Sequence, residues 1–204
     1  MIESFVDGVE KQTEESVANY KKRRRIEIVK DSDEEGHVRE VHQGLSNETW
    51  DLPTIFGEYF PSLQRRSALL TLCSYFEHEL DKLCLLYQSE KSLDISYTDL
   101  REMGVDRSTR YLEKVAGINV HQTSQEWNDI KNIQKIRNAL VHRGDKLQDH
   151  NDETFARFVK KAKSLSRTEE EEIVLGKGFL SYVVRIYTQY FKLIGDSIAT
   201  RENA

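Results

Sequence analysis

The stretch Leu69-Leu70-Thr71-Leu72-Cys73-Ser74-Tyr75-Phe76-Glu77-His78-Glu79-Leu80 decides the fold class, because its apolar residues recur at steps of three and four. Leu69, Leu72, Cys73, Phe76 and Leu80, continued by Leu83, Cys84 and Tyr87, fall on one broad stripe of a helix and not on the alternate positions of a strand. The segment opens at Pro61, which suits a first helical turn, and runs to about Gln88. The pattern predicts a long central helix.

Toward the C-terminus, shorter helices are predicted over Tyr97 to Met103 and Ser108 to Ala116, with Gly104 and Gly117 as stop signals. Ser124 stands as an N-cap before Trp127, Ile130, Ile133, Ile136, Leu140 and Val141, and Gly144 ends that run. Asn151 to about Ser164 reads as a charged helix, and Phe179 to about Ile198 as a final apolar one. Toward the N-terminus, a turn region through Asn47, Pro53 and Gly57 precedes the central helix. Residues 8 to about 28 read as a charged helix carrying the basic run Lys21-Lys22-Arg23-Arg24-Arg25, followed by the acidic Asp31-Ser32-Asp33-Glu34-Glu35. Residues 1–36 are therefore expected as a charged helical arm and linker, and residues 37–204 as one helical domain of an all-α protein.

Composition supports helices: 32% of residues are charged, and there are only 10 Gly and 2 Pro to make turns. A formal net charge of -5 argues against coating nucleic acid through the overall field, which leaves local basic sites as the route to phosphate. The opening Met1-Ile2-Glu3-Ser4-Phe5-Val6-Asp7 lacks the basic-then-apolar order of a signal peptide, and no run approaches bilayer length. A cytoplasmic protein without a membrane partner is expected. Cys73 and Cys84 lie about 16 Å apart along one helix, too far to bridge, and suit a reducing compartment as small core residues.

Near the end of a predicted helix, Arg137-Asn138-Ala139-Leu140-Val141-His142 fits an Arg-Asn-x-x-x-His pattern. In that motif the chain resembles the HEPN superfamily, whose helical domains include many metal-independent endoribonucleases. Leu63 to Leu70 and Phe76-Glu77-His78-Glu79-Leu80 resemble the long early helix of its bacterial members, and the likeness in helix order covers roughly residues 45 to 200. The resemblance implies a HEPN-type helical bundle that dimerises through its motif-bearing helices, with Arg137, Asn138 and His142 as a composite catalytic site. It implies RNA as the substrate, no metal or other cofactor, and a toxin or defence role with a cognate inhibitor or antitoxin protein. The chain departs from one branch of the family: Arg143-Gly144 follows His142 where HEPN toxins paired with a nucleotidyltransferase antitoxin end His-x-Tyr. That argues against control by tyrosine modification there.

The residue types suit the chemistry. RNA is cleaved when its 2′-hydroxyl attacks the adjacent phosphate, which requires proton transfer and stabilisation of extra negative charge. Histidine does the first and arginine the second, while Asn138 is expected to orient His142 or to hold a phosphate oxygen. Around an ideal helix Asn138 and His142 lie within about 40° of each other, on a polar stripe with Lys131 and Lys135, whereas Arg137 is about 140° from His142. Lys131, Lys135 and Arg143 are the expected RNA contacts. Arg137 falls among Ile130, Ile133, Leu140 and Val141, so it must be paired or face a cleft, with Glu77 and Glu79 as candidate supporting partners. The blander alternative makes Arg137 a core ion-pair residue and His142 a helix cap. His37, His42, His78, His121 and His150 are scattered and read as surface or locally bonded groups. A rival to catalysis is a helical module that binds RNA, a nucleotide or a protein partner.

Overall fold

A computed structural model of the chain describes residues 2–30, 36–142, 153–162, 164–167 and 172–202, with only the backbone of residues 30 and 167. Most of these residues are helical. Helix α1 (Ile2–Arg23) buries Val6, Thr13 and Tyr20. The segment expected as an arm packs against the long helix, where Arg65 forks onto Glu10 at 2.8–3.1 Å.

The first helix ends at Arg23 instead of near residue 28, because Arg25-Ile26-Glu27-Ile28-Val29 changes to a period of two. Its β-branched residues form strand β1 (Arg25–Lys30), antiparallel to β2 (Gly36–His42), with Ile28 opposite Val38 and Glu27 opposite Arg39. A two-residue turn then leads to β3 (Leu45–Ser46); Gln43 and Gly44 both have positive φ, 50° and 84°, as a type I′ turn needs. These strands correct the purely α-helical expectation.

The long helical run begins earlier than Pro61. Asp51 caps it, accepting from the Thr54 N–H at 3.2 Å and the Thr54 hydroxyl at 2.7 Å, and Pro53 occupies the first turn of α2 (Leu52–Thr54). Pro53 and Gly57 therefore lie inside a helical run and not in a turn region. A π turn (Ile55–Tyr59), closed by the Phe60 N–H on the Ile55 carbonyl, joins α2 to α3 (Phe60–Glu90). Pro61 has no N–H and its ring crowds the carbonyl four residues back; the wider π turn beside it lets the helix continue.

Beyond α3, the helix expected over Tyr97 to Met103 is a 3-10 turn (Tyr97–Asp99), and Gly104 opens α4 (Gly104–Lys114) instead of stopping a helix. Gly104 has φ +60°, and a Cβ there would stand 3.2 Å from the Glu77 carboxylate. Then come α5 (Gln125–His142), α6 (Glu153–Lys161), a second small sheet of β4 (Leu165–Arg167) and β5 (Ile173–Leu175), and α7 (Phe179–Glu202). The second sheet, also unforeseen, buries Leu165, Ile173 and Leu175.

The core lies where α3 meets α5 and α7. Leu69, Leu72, Phe76 and Leu80 meet Val183, Tyr187, Tyr190 and Ile194 of α7 and Ile130, Ile133 and Ile136 of α5. The Phe76 and Tyr187 rings stack at 4.0 Å and 12°. Both cysteines are free and buried there, as small core residues. Among the described residues no helix is long and apolar enough to cross a membrane.

Candidate functional site

Helix α5 carries the motif. Ser124 caps it as its position predicts, its Oγ accepting the Trp127 N–H at 3.1 Å. Trp127, Ile130, Ile133, Ile136 and Ala139 are buried, which fixes how the helix is rotated and turns Asn138, Val141 and His142 toward solvent. Asn138 and His142, four residues apart, share that exposed face at the end of the helix. Arg137 is half-buried beside it.

The Arg137 Nη1 donates to Oδ1 of Asn138 at 3.0 Å. Among the described residues this is its one side-chain hydrogen bond, and it has no acidic partner. The expected supports lie elsewhere. Glu79 accepts from Lys82, one turn along α3, at 2.8 Å, and the Glu77 carboxylate sits against Gly104 at the positive end of α4. Arg137 does act on the core electrostatically: burial pushes the Cys73 thiol up to about 11, while the Tyr187 hydroxyl and the Arg137 charge pull it the other way.

The expected RNA contacts divide. Lys131 is held by both carboxylate oxygens of Asp106 at 2.8 and 2.7 Å, with its ammonium over the Trp127 ring, so its charge is matched within the fold. Lys135 is half-buried. Arg143, Gly144 and His150 lie outside the described residues.

A buried carboxylate on the same helix escaped the sequence reading. Asp129 is 1% exposed and accepts from Gln125 Nε2 at 2.8 Å, Lys161 Nζ at 3.0 Å and the Tyr182 hydroxyl at 2.8 Å, tying α5 to α6 and α7. Burial and then the Asp129 carboxylate hold the Tyr182 hydroxyl well above its ordinary pKa. The signal available in sequence was an acid between Trp127 and Ile130 on the apolar arc.

Of the remaining histidines, His37 pairs with Glu48 at 2.9 Å, His121 meets Ser197 at 2.7 Å, and His78 is exposed. His42 differs, being buried between aromatic rings. Compared with known proteins, the chain matches no family model, no curated protein and no solved structure.

Proposed function

We propose that the chain is a HEPN-type, metal-independent endoribonuclease that works as a homodimer, with Arg137, Asn138 and His142 of two copies forming one cleft. The observation that carries this reading is the state of Arg137. A half-buried guanidinium whose hydrogen-bond partner is a neutral amide keeps its charge unmatched among the described residues, as a phosphate site requires. Exposed Asn138 and His142 beside it, with Val141 45% exposed, offer a polar site and an apolar contact that a second copy would cover.

In this mechanism His142 of one copy takes the proton from a ribose 2′-hydroxyl as the oxygen attacks the adjacent phosphorus. The P–O5′ bond breaks, and His142 of the second copy, in its protonated form, gives a proton to the departing 5′-oxygen. Arg137 holds the non-bridging phosphate oxygens through its planar fork, and Asn138 keeps that fork oriented. The products are a 2′,3′-cyclic phosphate and a 5′-hydroxyl. Such an enzyme would serve as a toxin or defence effector, restrained by a cognate inhibitor.

Incubating the protein with mixed RNA in EDTA, beside a His142→Ala variant, tests the reading. Cleavage with cyclic-phosphate ends is expected from the native chain at dimer mass, and a loss of about 100-fold or more from a variant of unchanged helicity. Full cleavage by folded His142→Ala, or none by the native dimer, would leave the non-catalytic binding module as the better account.

A further inference from the structure

Helices α3 and α7 lie side by side and run the same way: Ser62 bonds Leu175 just before α7, and further along Phe76 packs on Tyr187 and Phe191. One side of this layer carries α5, where Trp127 stands against Tyr190 and Asp129 accepts from Tyr182. The other side carries α1, whose Glu3, Val6 and Asp7 lie along Ser181, Val184 and Thr188 of α7. Helix α1 runs antiparallel to α3, with Glu10 on Arg65 and Tyr20 stacked on Phe56. Both helices rise about 1.5 Å per residue, so Ile2 stands near the level of Cys73.

Past that level the seat of α1 continues as an open groove of about 420 Å³, lined by Tyr75, Glu79, Lys82, Leu83 and Leu86 of α3 and Phe191 of α7. Tyr75 is 44% and Leu86 51% exposed. The α3 residues recur at helical steps and form one continuous stripe, the surface that one helix presents to another.

This stripe is complementary to itself turned end for end. When two copies of α3 pack antiparallel about a two-fold axis at the level between Leu80 and Asp81, Tyr75 comes level with Leu86 of the second copy, and Glu79 with its Lys82. Apolar groups meet at both ends and unlike charges in the middle. Within one chain Glu79 already accepts from Lys82 at 2.8 Å, so the facing pairs close into a ring of four alternating charges. The helix also ends in the right place. In this register Glu90, the last residue of α3, stands level with Thr71, so the second helix stops about where α1 of the first chain begins.

We propose that the C-terminal half of α3 is a homotypic docking surface, on which a second copy of the chain lays its own α3 antiparallel in this register. The surface lies on the opposite side of the α3–α7 layer from α5. The association is therefore independent of the nuclease reading, and it leaves Asn138 and His142 uncovered.

Sedimentation equilibrium of the full chain, with charges exchanged at the two central positions, tests it. Native self-association with a Kd of about 10 μM is expected, as for a small interface. Glu79→Lys makes the facing positions all basic and Lys82→Glu makes them all acidic, so each variant alone should associate about 10-fold more weakly or worse. Mixed in equal amounts, the two variants should pair with each other at about native strength, because each then faces its opposite. A chain carrying both substitutions should self-associate like the native one, and Leu86→Asp should weaken pairing in every background. Where α5 pairing also forms, the native assembly is larger than a dimer, and the single variants should bring it down to the α5 pair. The Glu79 and Lys82 side chains are 29% and 55% exposed, so the variants should fold, which circular dichroism checks. A native chain whose mass neither single substitution changes, a monomer at every concentration up to millimolar, or weakened variants that mixing fails to restore would each overturn the proposal.

Discussion

Arg137 and Asn138, adjacent in the chain, are joined by a 3.0 Å hydrogen bond from guanidinium to amide oxygen, and no carboxylate shares the arginine among the described residues. Removing Arg137 therefore strands no buried negative charge. Arg137→Ala is expected to cost no more than about 1 kcal/mol, a fall in melting temperature of about 2–4 °C for a chain of this size. RNA cleavage should fall about 100-fold or more. Asn138→Asp should keep the fold but also cut cleavage, because a carboxylate beside the guanidinium would compete with phosphate for it. A melting point depressed by 10 °C in Arg137→Ala would show that the arginine has a structural partner.

Glu10 and Arg65 present the opposite case. The Arg65 side chain is 9% and the Glu10 side chain 12% exposed, the pair is bidentate, and Arg65 also reaches the Leu175 carbonyl at 3.4 Å. Glu10→Ala would leave a nearly buried guanidinium uncompensated, at a cost of about 3 kcal/mol. The urea midpoint should drop accordingly, with a melting temperature lower by about 6–12 °C. Replacing both partners, Glu10→Ala with Arg65→Met, should recover much of the loss. A Glu10→Ala protein as stable as the native chain would mean that α1 is held by its apolar contacts alone.

The difference between these two arginines explains what could be read in advance. The long helices were legible because Leu69 to Tyr87, Trp127 to Ala139 and the last apolar segment bury one stripe each, and a 3.6-residue period records that directly. The same wheel placed Arg137 toward packing and paired it with an acid, whereas the side chain is half-buried and bonds the Asn138 amide. It could not name the neighbour, since Glu77 is drawn to Gly104 of α4, a contact between positions 27 apart in sequence. Asp129 was opaque for the same reason: its partners Lys161 and Tyr182 are 32 and 53 residues away. The β1–β2 hairpin was missed because the basic run ending at Arg25 continues the helical register of Tyr20, and only four or five residues remain to display a period of two.

Six tyrosines, Tyr20, Tyr87, Tyr111, Tyr182, Tyr187 and Tyr190, are held above their ordinary pKa of 10, in each case first by burial, and Tyr20 reaches about 12. Local groups add to several of them: Glu40 accepts from Tyr20, Asp129 from Tyr182, and the Val120 carbonyl from Tyr190 at 2.6 Å. Burial likewise raises the Cys73 and Cys84 thiols from 9 to about 11 and about 12. The sign follows from linkage. At neutral pH these groups are protonated in folded and unfolded chain alike, and their contribution to stability is complete. As pH rises past 9 for the thiols and 10 for the tyrosines, the unfolded chain releases protons that the folded chain retains. Each such group then removes about 1.4 kcal/mol of stability per pH unit until its folded pKa is passed. Urea midpoints are therefore expected to hold steady from pH 7 to 8.5 and to fall with increasing steepness above pH 9. Absorbance at 295 nm should show the buried tyrosines ionising together with unfolding. Tyr187→Phe should flatten the alkaline decline by one tyrosine's share, though it loses the 3.3 Å contact with Cys73. A midpoint constant to pH 11, or tyrosines that all titrate near 10 in the folded protein, would contradict the burial on which the core of α3 and α7 is built.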